Sequence, residues 1–276
     1  MMNNFELYIE NYLNNQRDCL ITDAMRYALE GGKRFRPRVI FSILKGMNID
    51  EAIGYDAALA LELIQTYSLI HDDLPAMDND DFRRGKPSLH KAFKEDIAIL
   101  TGDQLLTNAF RVISESKVYD SDTKVNIINA LSKYAGIDGM IYGQLLDVSS
   151  NPDNINPDLL FEIQDNKTGG LFKIASLIPM YINNEDNEDY YVKLGSLIGQ
   201  IFQNQDDLFD LIKSKEEMGK DLSDLDNNKA TALTLYSLEE LKNIIDEEFK
   251  YLDEYLNNSS FNPVYLKELL IKLKER

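Results

Sequence analysis

The chain has 276 residues, of which 44% are hydrophobic, with 14 Gly, 7 Pro and a single cysteine, Cys19. Its 29 Lys+Arg against 47 Asp+Glu leave a formal net charge of −18, which repels phosphate backbones and argues against general nucleic-acid binding. The apolar content is too high for global disorder, the low Gly and Pro content disfavours a turn-rich all-β chain, and one cysteine excludes both an intramolecular disulfide and a CxxC metal site.

The start, MMNNFELYIENYL, carries no basic-then-apolar signal pattern, and no stretch approaches 18 uninterrupted apolar residues; a cytoplasmic protein with no membrane insertion is expected. A break falls at Gly31-Gly32. In Tyr55–Ile70 apolar residues stand at Ala58, Leu61, Leu63, Ile64, Tyr67 and Leu69, a density that suits a helix buried on most of its circumference. After a break over Leu74–Ser88, helices are predicted at Asp96–Ser114, Val125–Tyr134, Leu159–Gln164, Leu171–Ile182, Tyr190–Leu211, Lys229–Tyr255 and Pro263–Leu273. Further breaks collect Gly, Pro, Asn and Asp at Ser149–Pro157, Asn183–Asp189 and Met218–Asn228. With no repeat, linker or composition shift, residues 1–276 read as one all-α domain of about a dozen helices.

Five aspartates, Asp72, Asp73, Asp78, Asp80 and Asp81, follow directly on the apolar helix. Carboxylates there repel one another, lose hydration and face the unfavourable end of a helix dipole. Either they form a solvated acidic turn, or a cation offsets them. Magnesium, which shares its shell between a few carboxylates, water and phosphate, is the natural cation. A second set, Asp206, Asp207 and Asp210, lies on another apolar helix, with Asp206 and Asp210 one turn apart on one face. Two such patches suggest opposing walls of one cavity; a salt-bridge network remains possible for either alone. The scarce basic residues gather at Lys33, Arg34, Arg36 and Arg38, at Arg83-Arg84, at Lys167 and at Lys220. Arg forks and Lys point charges beside bound magnesium are the equipment for gripping diphosphates.

The segments GGKRFRP (31–37), LIHDDLPAMDNDDFRRGKPSLH (69–90), LTGDQLL (100–106), GQLLD (143–147), KTGGLF (167–172) and FQNQDDLFD (202–210) resemble the trans-polyprenyl diphosphate synthases, and within them the bacterial farnesyl diphosphate type. The resemblance runs in order from about Gly31 to Lys229. It implies helices around a deep central cavity, a homodimer, and head-to-tail condensation of isopentenyl diphosphate with dimethylallyl or geranyl diphosphate through a metal-assisted allylic carbocation. Product length within the family also leaves geranylgeranyl and geranyl diphosphate open. A non-catalytic partner subunit is the remote alternative, and a terpene cyclase is disfavoured by the second aspartate motif.

Carried over position by position, the resemblance gives Asp72, Asp78, Lys167, Asp206 and Lys220 as the catalytic set. Magnesium, three ions per site with manganese as a substitute, is assigned to Asp72, Asp73, Asp78, Asp206, Asp207 and Asp210, with Asp73 in a supporting place. Arg83, Lys167, Thr168, Gln203, Lys220 and Lys229 would bind the allylic diphosphate, and Lys33, Arg36, Gln65 and Arg84 the isopentenyl diphosphate. Gln65 stands where bacterial relatives often carry His, and GKDLSDLDNNKAT (219–231) departs from the usual GKPxGxD form. Thr168 and Gln144 are candidates for soft stabilisation of the carbocation, and His71 is assigned a structural hydrogen bond rather than a base's role. Tyr67 lies five residues before Asp72, ~7.5 Å deeper at ~1.5 Å per residue. Its ring would floor the cavity near the length of a farnesyl tail, unless it is a core aromatic and nothing more.

Overall fold

The apolar stretch that dominates the sequence becomes α4 (Tyr55–Asp72), buried at Ala57–Ile64 and again at Thr66, Tyr67 and Ile70. The computed structural model describes residues 2–151, 153–218 and 232–274, without the side chains of 210, 211 and 213–218. Around α4 pack α1 (Met2–Asn14), α2 (Leu20–Leu29), α3 (Phe35–Gly46) and α6 (Glu95–Glu115). A second central helix, α10 (Gly169–Ile182), is buried from Gly169 through Met180 and lies against α3, α4, α7 (Ser121–Ala135) and α11 (Glu188–Met218). Helices apolar on all sides have to be surrounded, and the outer helices do so with one apolar face each. The remaining helices are α5 (Leu89–Phe93), α8 (Met140–Ser149), α9 (Pro157–Ile163), α12 (Ala232–Leu235), α13 (Leu238–Leu256) and α14 (Val264–Lys274).

Most apolar side chains join one core that runs from Phe5 to Leu273. A smaller cluster, built from Ile155, Leu160, Ile163, Leu208, Ala232, Leu241 and Ile245, ties α9, α12 and α13 to α11. Among the described residues no helix is long and apolar enough to cross a membrane.

The structure departs from the predicted elements at several places. The Leu74–Ser88 break contains a minimal hairpin, β1 (Phe82–Arg83) antiparallel to β2 (Lys86–Pro87). Its two-residue turn, Arg84-Gly85, has φ of 54° and 78°, the paired positive values that a tight hairpin of this hand needs. The Lys229–Tyr255 helix is divided instead: Lys229 lies outside the described residues, α12 ends at Leu235, and Ser237 caps α13. Ser237 and Glu240 form a reciprocal capping box, so the local cap outcompetes continuation of the 3.6 pattern. α8 gave too little period to be read, because Ile141, Leu145 and Val148 put apolar side chains on its exposed side.

Arg34, counted with the anion-binding cations, is committed to the fold. Its guanidinium donates to Glu62 (2.8 Å), to both oxygens of Glu6 (2.9 and 3.1 Å) and to the Leu29 carbonyl (2.6 Å). Arg34 and Glu62 are both buried. Arg34→Met is expected to cost about 3–5 kcal/mol in urea unfolding, because it strands a buried carboxylate. Arg34→Met with Glu62→Leu should recover most of that loss.

Candidate active site

α4 ends at Asp72, and the chain turns back at once: the Asp78 amide donates to the Asp72 carbonyl (2.9 Å), while those of Met77 and Asn79 donate to the Leu74 carbonyl (2.9 and 3.1 Å). This closed loop brings Asp78 to the same cavity as Asp72. The remaining three aspartates are paired within the protein. Asp73, expected among the metal ligands, is buried and held by Arg83, which also donates to Asp80 (3.0 Å). Asp81 pairs with Lys91 (2.8 Å). Asp73, given a supporting place beside the metal ligands, lines a separate, smaller cavity behind the helix end and anchors the hairpin arginine.

The main cavity measures about 1060 Å³, at the upper end of the range for small-molecule sites. Asp72 and Asp78, from the end of α4 and the loop after it, line it together with Asp206 and Asp207 of α11. Lys33, Arg36, Gln65, Tyr67, Arg83, Arg84, Lys167, Thr168 and Gln203 also line it. Lys220 and Lys229 lie outside the described residues, as does the side chain of Asp210. Phe35, Leu160, Ile163, Leu171 and Phe202 supply an apolar interior.

Asp72 accepts a hydrogen bond from Gln144 Nε2 (2.9 Å). Burial pushes its carboxyl up to about 6; Lys167 and Arg83 pull it down, and Asp78 and Asp73 add to the rise. The carboxylate thus lacks the positive charge that would hold it ionised. The opposite shortage stands across the cavity. Burial pushes the Arg36 guanidinium down to about 10, against the pull of Glu62 and Asp206. Arg36 stacks 4.5 Å over the Phe172 ring and 5.7 Å from that of Phe202, and its Nε has no hydrogen-bond partner among the described residues. Burial also depresses Arg84, with Glu62 opposing. A site with an under-compensated carboxylate at Asp72 and an under-compensated guanidinium at Arg36 suits a metal–anion pair better than either ion alone.

The residues fit magnesium. Among the described residues no three metal-binding side chains converge on one point, and a small hard cation that keeps phosphate and water in its shell requires only one or two carboxylates.

Lys167 and Thr168 reach the cavity from a π turn, Gln164–Thr168, a local widening of the helix frequent at functional sites. Gly143 of GQLLD makes room for it: a Cβ there would stand 2.1 Å from the Lys167 amide nitrogen. One helical turn on, Asp147 holds Lys167 Nζ at 2.6 Å. Thr168 Oγ1 donates to Gln203 (2.7 Å), whose amide donates to Asp207 (2.9 Å), and Asp207 accepts from the Ala232 amide (3.0 Å). Gln203 and Asp207 thereby connect the turn to the start of α12.

A model described as polyprenyl synthetase matches residues 18–268. The chain belongs to the polyprenyl synthetase family. The farnesyl diphosphate synthase of Micrococcus luteus is 40% identical over 261 residues, 92% of this chain and 88% of that protein. The crystal structure of geranyltransferase from Legionella pneumophila aligns with a TM-score of 0.87 and 34% identity, over 100% of this chain and 94% of that one. A crystal structure of geranyltransferase from Helicobacter pylori, complexed with magnesium and isoprenyl diphosphate, aligns over 99% of this chain and 95% of that one, with a TM-score of 0.82 and 30% identity. Within this polyprenyl synthetase, Asp147 and Gln164 are site-building residues to which sequence reasoning gave no role. Asp147 stands four residues after Gly143, the one signal that could have placed it beside the lysine.

Proposed function

We propose that this chain condenses isopentenyl diphosphate head-to-tail with dimethylallyl or geranyl diphosphate to give farnesyl diphosphate. The observation that supports it most directly is Arg36, a deep guanidinium stacked on aromatic rings and facing Asp206 in a cavity that Asp72 and Asp78 also line. In this reading Lys33, Arg36, Gln65 and Arg84 hold the isopentenyl diphosphate, and Arg83, Lys167 and Thr168, with Gln203, the allylic one. Lys220, Lys229 and Asp210 belong to the allylic side on the sequence motif alone. Magnesium, three ions or manganese in its place, would be held by Asp72, Asp78 and Asp206 with Asp207 and Asp210, and supplies positive charge to the departing diphosphate.

The allylic C–O bond breaks and its electron pair leaves with the diphosphate, whose charge Lys167 and Arg83 stabilise. Phe35, Leu171, Phe202 and the other apolar side chains exclude water from the carbocation. The alkene held by Arg36 and Arg84 donates its π pair to form the new C–C bond, and the proton lost from the adjacent carbon goes to the released diphosphate. The Gln144 carbonyl oxygen is buried with no hydrogen-bond partner among the described residues, so its dipole is available to the cation.

The cytoplasmic location and the homodimer are parts of the same proposal. Exposed Ile99 and Leu100 on α6, with Ile141, Leu145 and Val148 on α8, give apolar surface for a second copy. Incubation with isopentenyl diphosphate and each allylic starter, followed by chromatography, is expected to yield a fifteen-carbon product, abolished by EDTA and restored by magnesium. No product from any starter, or turnover indifferent to EDTA, would reject the reading.

A further inference from the structure

Beside the cavity, three polar side chains cross the smaller apolar cluster. Gln164 Nε2 donates to Asn204 Oδ1 at 2.9 Å, and Asn204 Nδ2 donates to both carboxyl oxygens of Glu248 at 3.0 and 3.1 Å. Gln164 and Asn204 are buried, and their sequence neighbours Ile163, Leu208 and Ile245 pack in that cluster. Burial pushes the Glu248 carboxyl up to about 7, with the Asn204 bond opposing. Among the described residues no cation pairs with Glu248. An apolar trio in these places would avoid the desolvation cost, so the polar one calls for a reason.

The reason lies in direction. Both carboxyl oxygens of Glu248 accept from the NH₂ of Asn204, which leaves the Asn204 carbonyl facing Gln164, whose NH₂ is then fixed in turn. Gln164 opens the π turn that carries Lys167 and Thr168. Asn204 stands on α11 between Gln203, which Thr168 contacts, and the Asp206-Asp207 pair. The relay therefore joins α13 to both the lysine turn and the second aspartate wall.

We propose that Glu248 is a positioning residue which, through Asn204 and Gln164, sets the distance between the Lys167–Thr168 turn and the Asp206 wall. This rests on the reading that the cavity takes an allylic diphosphate between these two elements. The isopentenyl side, built on α3, α4 and the hairpin, shares none of the relay's hydrogen bonds; Arg36 meets α11 through the Phe202 ring and the charge of Asp206, so that side should respond less.

The test compares Asn204→Leu and Glu248→Leu with the conservative Glu248→Gln, whose amide oxygen still accepts from Asn204. Misplacement of a reacting group by about 1 Å costs up to 100-fold, so a partial shift is expected to raise KM for the allylic substrate about tenfold in both leucine variants. KM for isopentenyl diphosphate should stay within about twofold, and Glu248→Gln within about threefold of the parent in both. Calorimetric titration with magnesium and inorganic pyrophosphate should weaken in parallel. Should a leucine variant fail to fold, Gln164→Met cuts the relay from its other end. Equal KM shifts for both substrates, or lowered unfolding temperatures with unchanged KM and pyrophosphate binding, would overturn the inference. If the parent protein makes no prenyl product, the functional reading fails, and the pyrophosphate titrations still decide for or against the relay.

Discussion

Asp72→Ala is expected to lower kcat on the order of 10³–10⁴-fold, since charge stabilisation of a leaving diphosphate is worth several kcal/mol and each 1.36 kcal/mol is tenfold. His71→Ala, one residue away, should keep most of the activity. The imidazole Nε2 lies 3.3 Å from the Ile99 carbonyl, and its ring meets that of Tyr67 edge-on at 5.7 Å. The ring occupies the space beside Gly102, where a Cβ would stand 2.1 Å from Nε2. These contacts hold α4 on α6, so the histidine, although it also lines the cavity, is expected to act as packing and not as a proton acceptor. Steady-state rates of the two variants decide the point, and equal losses would make His71 a base.

The same substitution should make the metal-free protein more stable. Burial raises the Asp72 carboxyl to about 6 in the fold, above its ordinary value of about 3.9 in an unfolded chain. The native state then binds the proton more tightly, so this group's destabilisation is absent below about pH 4 and complete above about pH 6. At pH 7.5 Asp72→Ala relieves it and loses the Gln144 bond, a net gain on the order of 1 kcal/mol. In a chain of this size that is a rise of about 2–4 °C in melting temperature. At pH 4 the gain should disappear and the lost Gln144 bond should leave a small net loss, which separates the effect from a gain in helix propensity.

The two central helices, the acidic stretch after α4 and the acidic stretch within α11 were legible because burial on all sides leaves a dense apolar pattern, and because charge clusters beside such helices have few structural uses. The division of labour among the aspartates came from the family resemblance alone, which gave Asp73 a supporting place. By residue type nothing in HDDLPAMDNDD separates Asp73, which holds Arg83, from Asp72, which lines the cavity. That difference follows from where the backbone turns after α4 and from the Arg84-Gly85 hairpin turn, which aims Arg83 back at the helix end. Arg34 misleads for a similar reason: its partners, Glu6 and Glu62, are remote in sequence. The relay from Glu248 was equally hidden, because three polar residues on separate elements carry no shared period.

Tyr67→Ala is expected to change the product, not the rate. Tyr67 is buried on α4 and still borders the cavity, deeper than Asp72 by the helix rise. Burial, with Asp72 adding to it, pushes its phenol up to about 12, so it remains a neutral wall at any working pH. A hydrocarbon anchored by its diphosphate at the aspartates grows toward this ring. Truncation to Ala removes the ring and leaves apolar space continuous with the cavity, which a longer chain can fill. Ordinary large-to-small truncation of a buried aromatic costs about 3–5 kcal/mol. Here the bound tail restores the lost contacts, so substrate should stabilise the variant more than the parent in thermal unfolding. Products of twenty carbons or more are expected by chromatography, while Tyr67→Phe, which keeps the ring, should still stop at fifteen. A fifteen-carbon product from Tyr67→Ala would place the floor at another side chain, and twenty carbons from Tyr67→Phe would assign the stop to the hydroxyl instead of the ring.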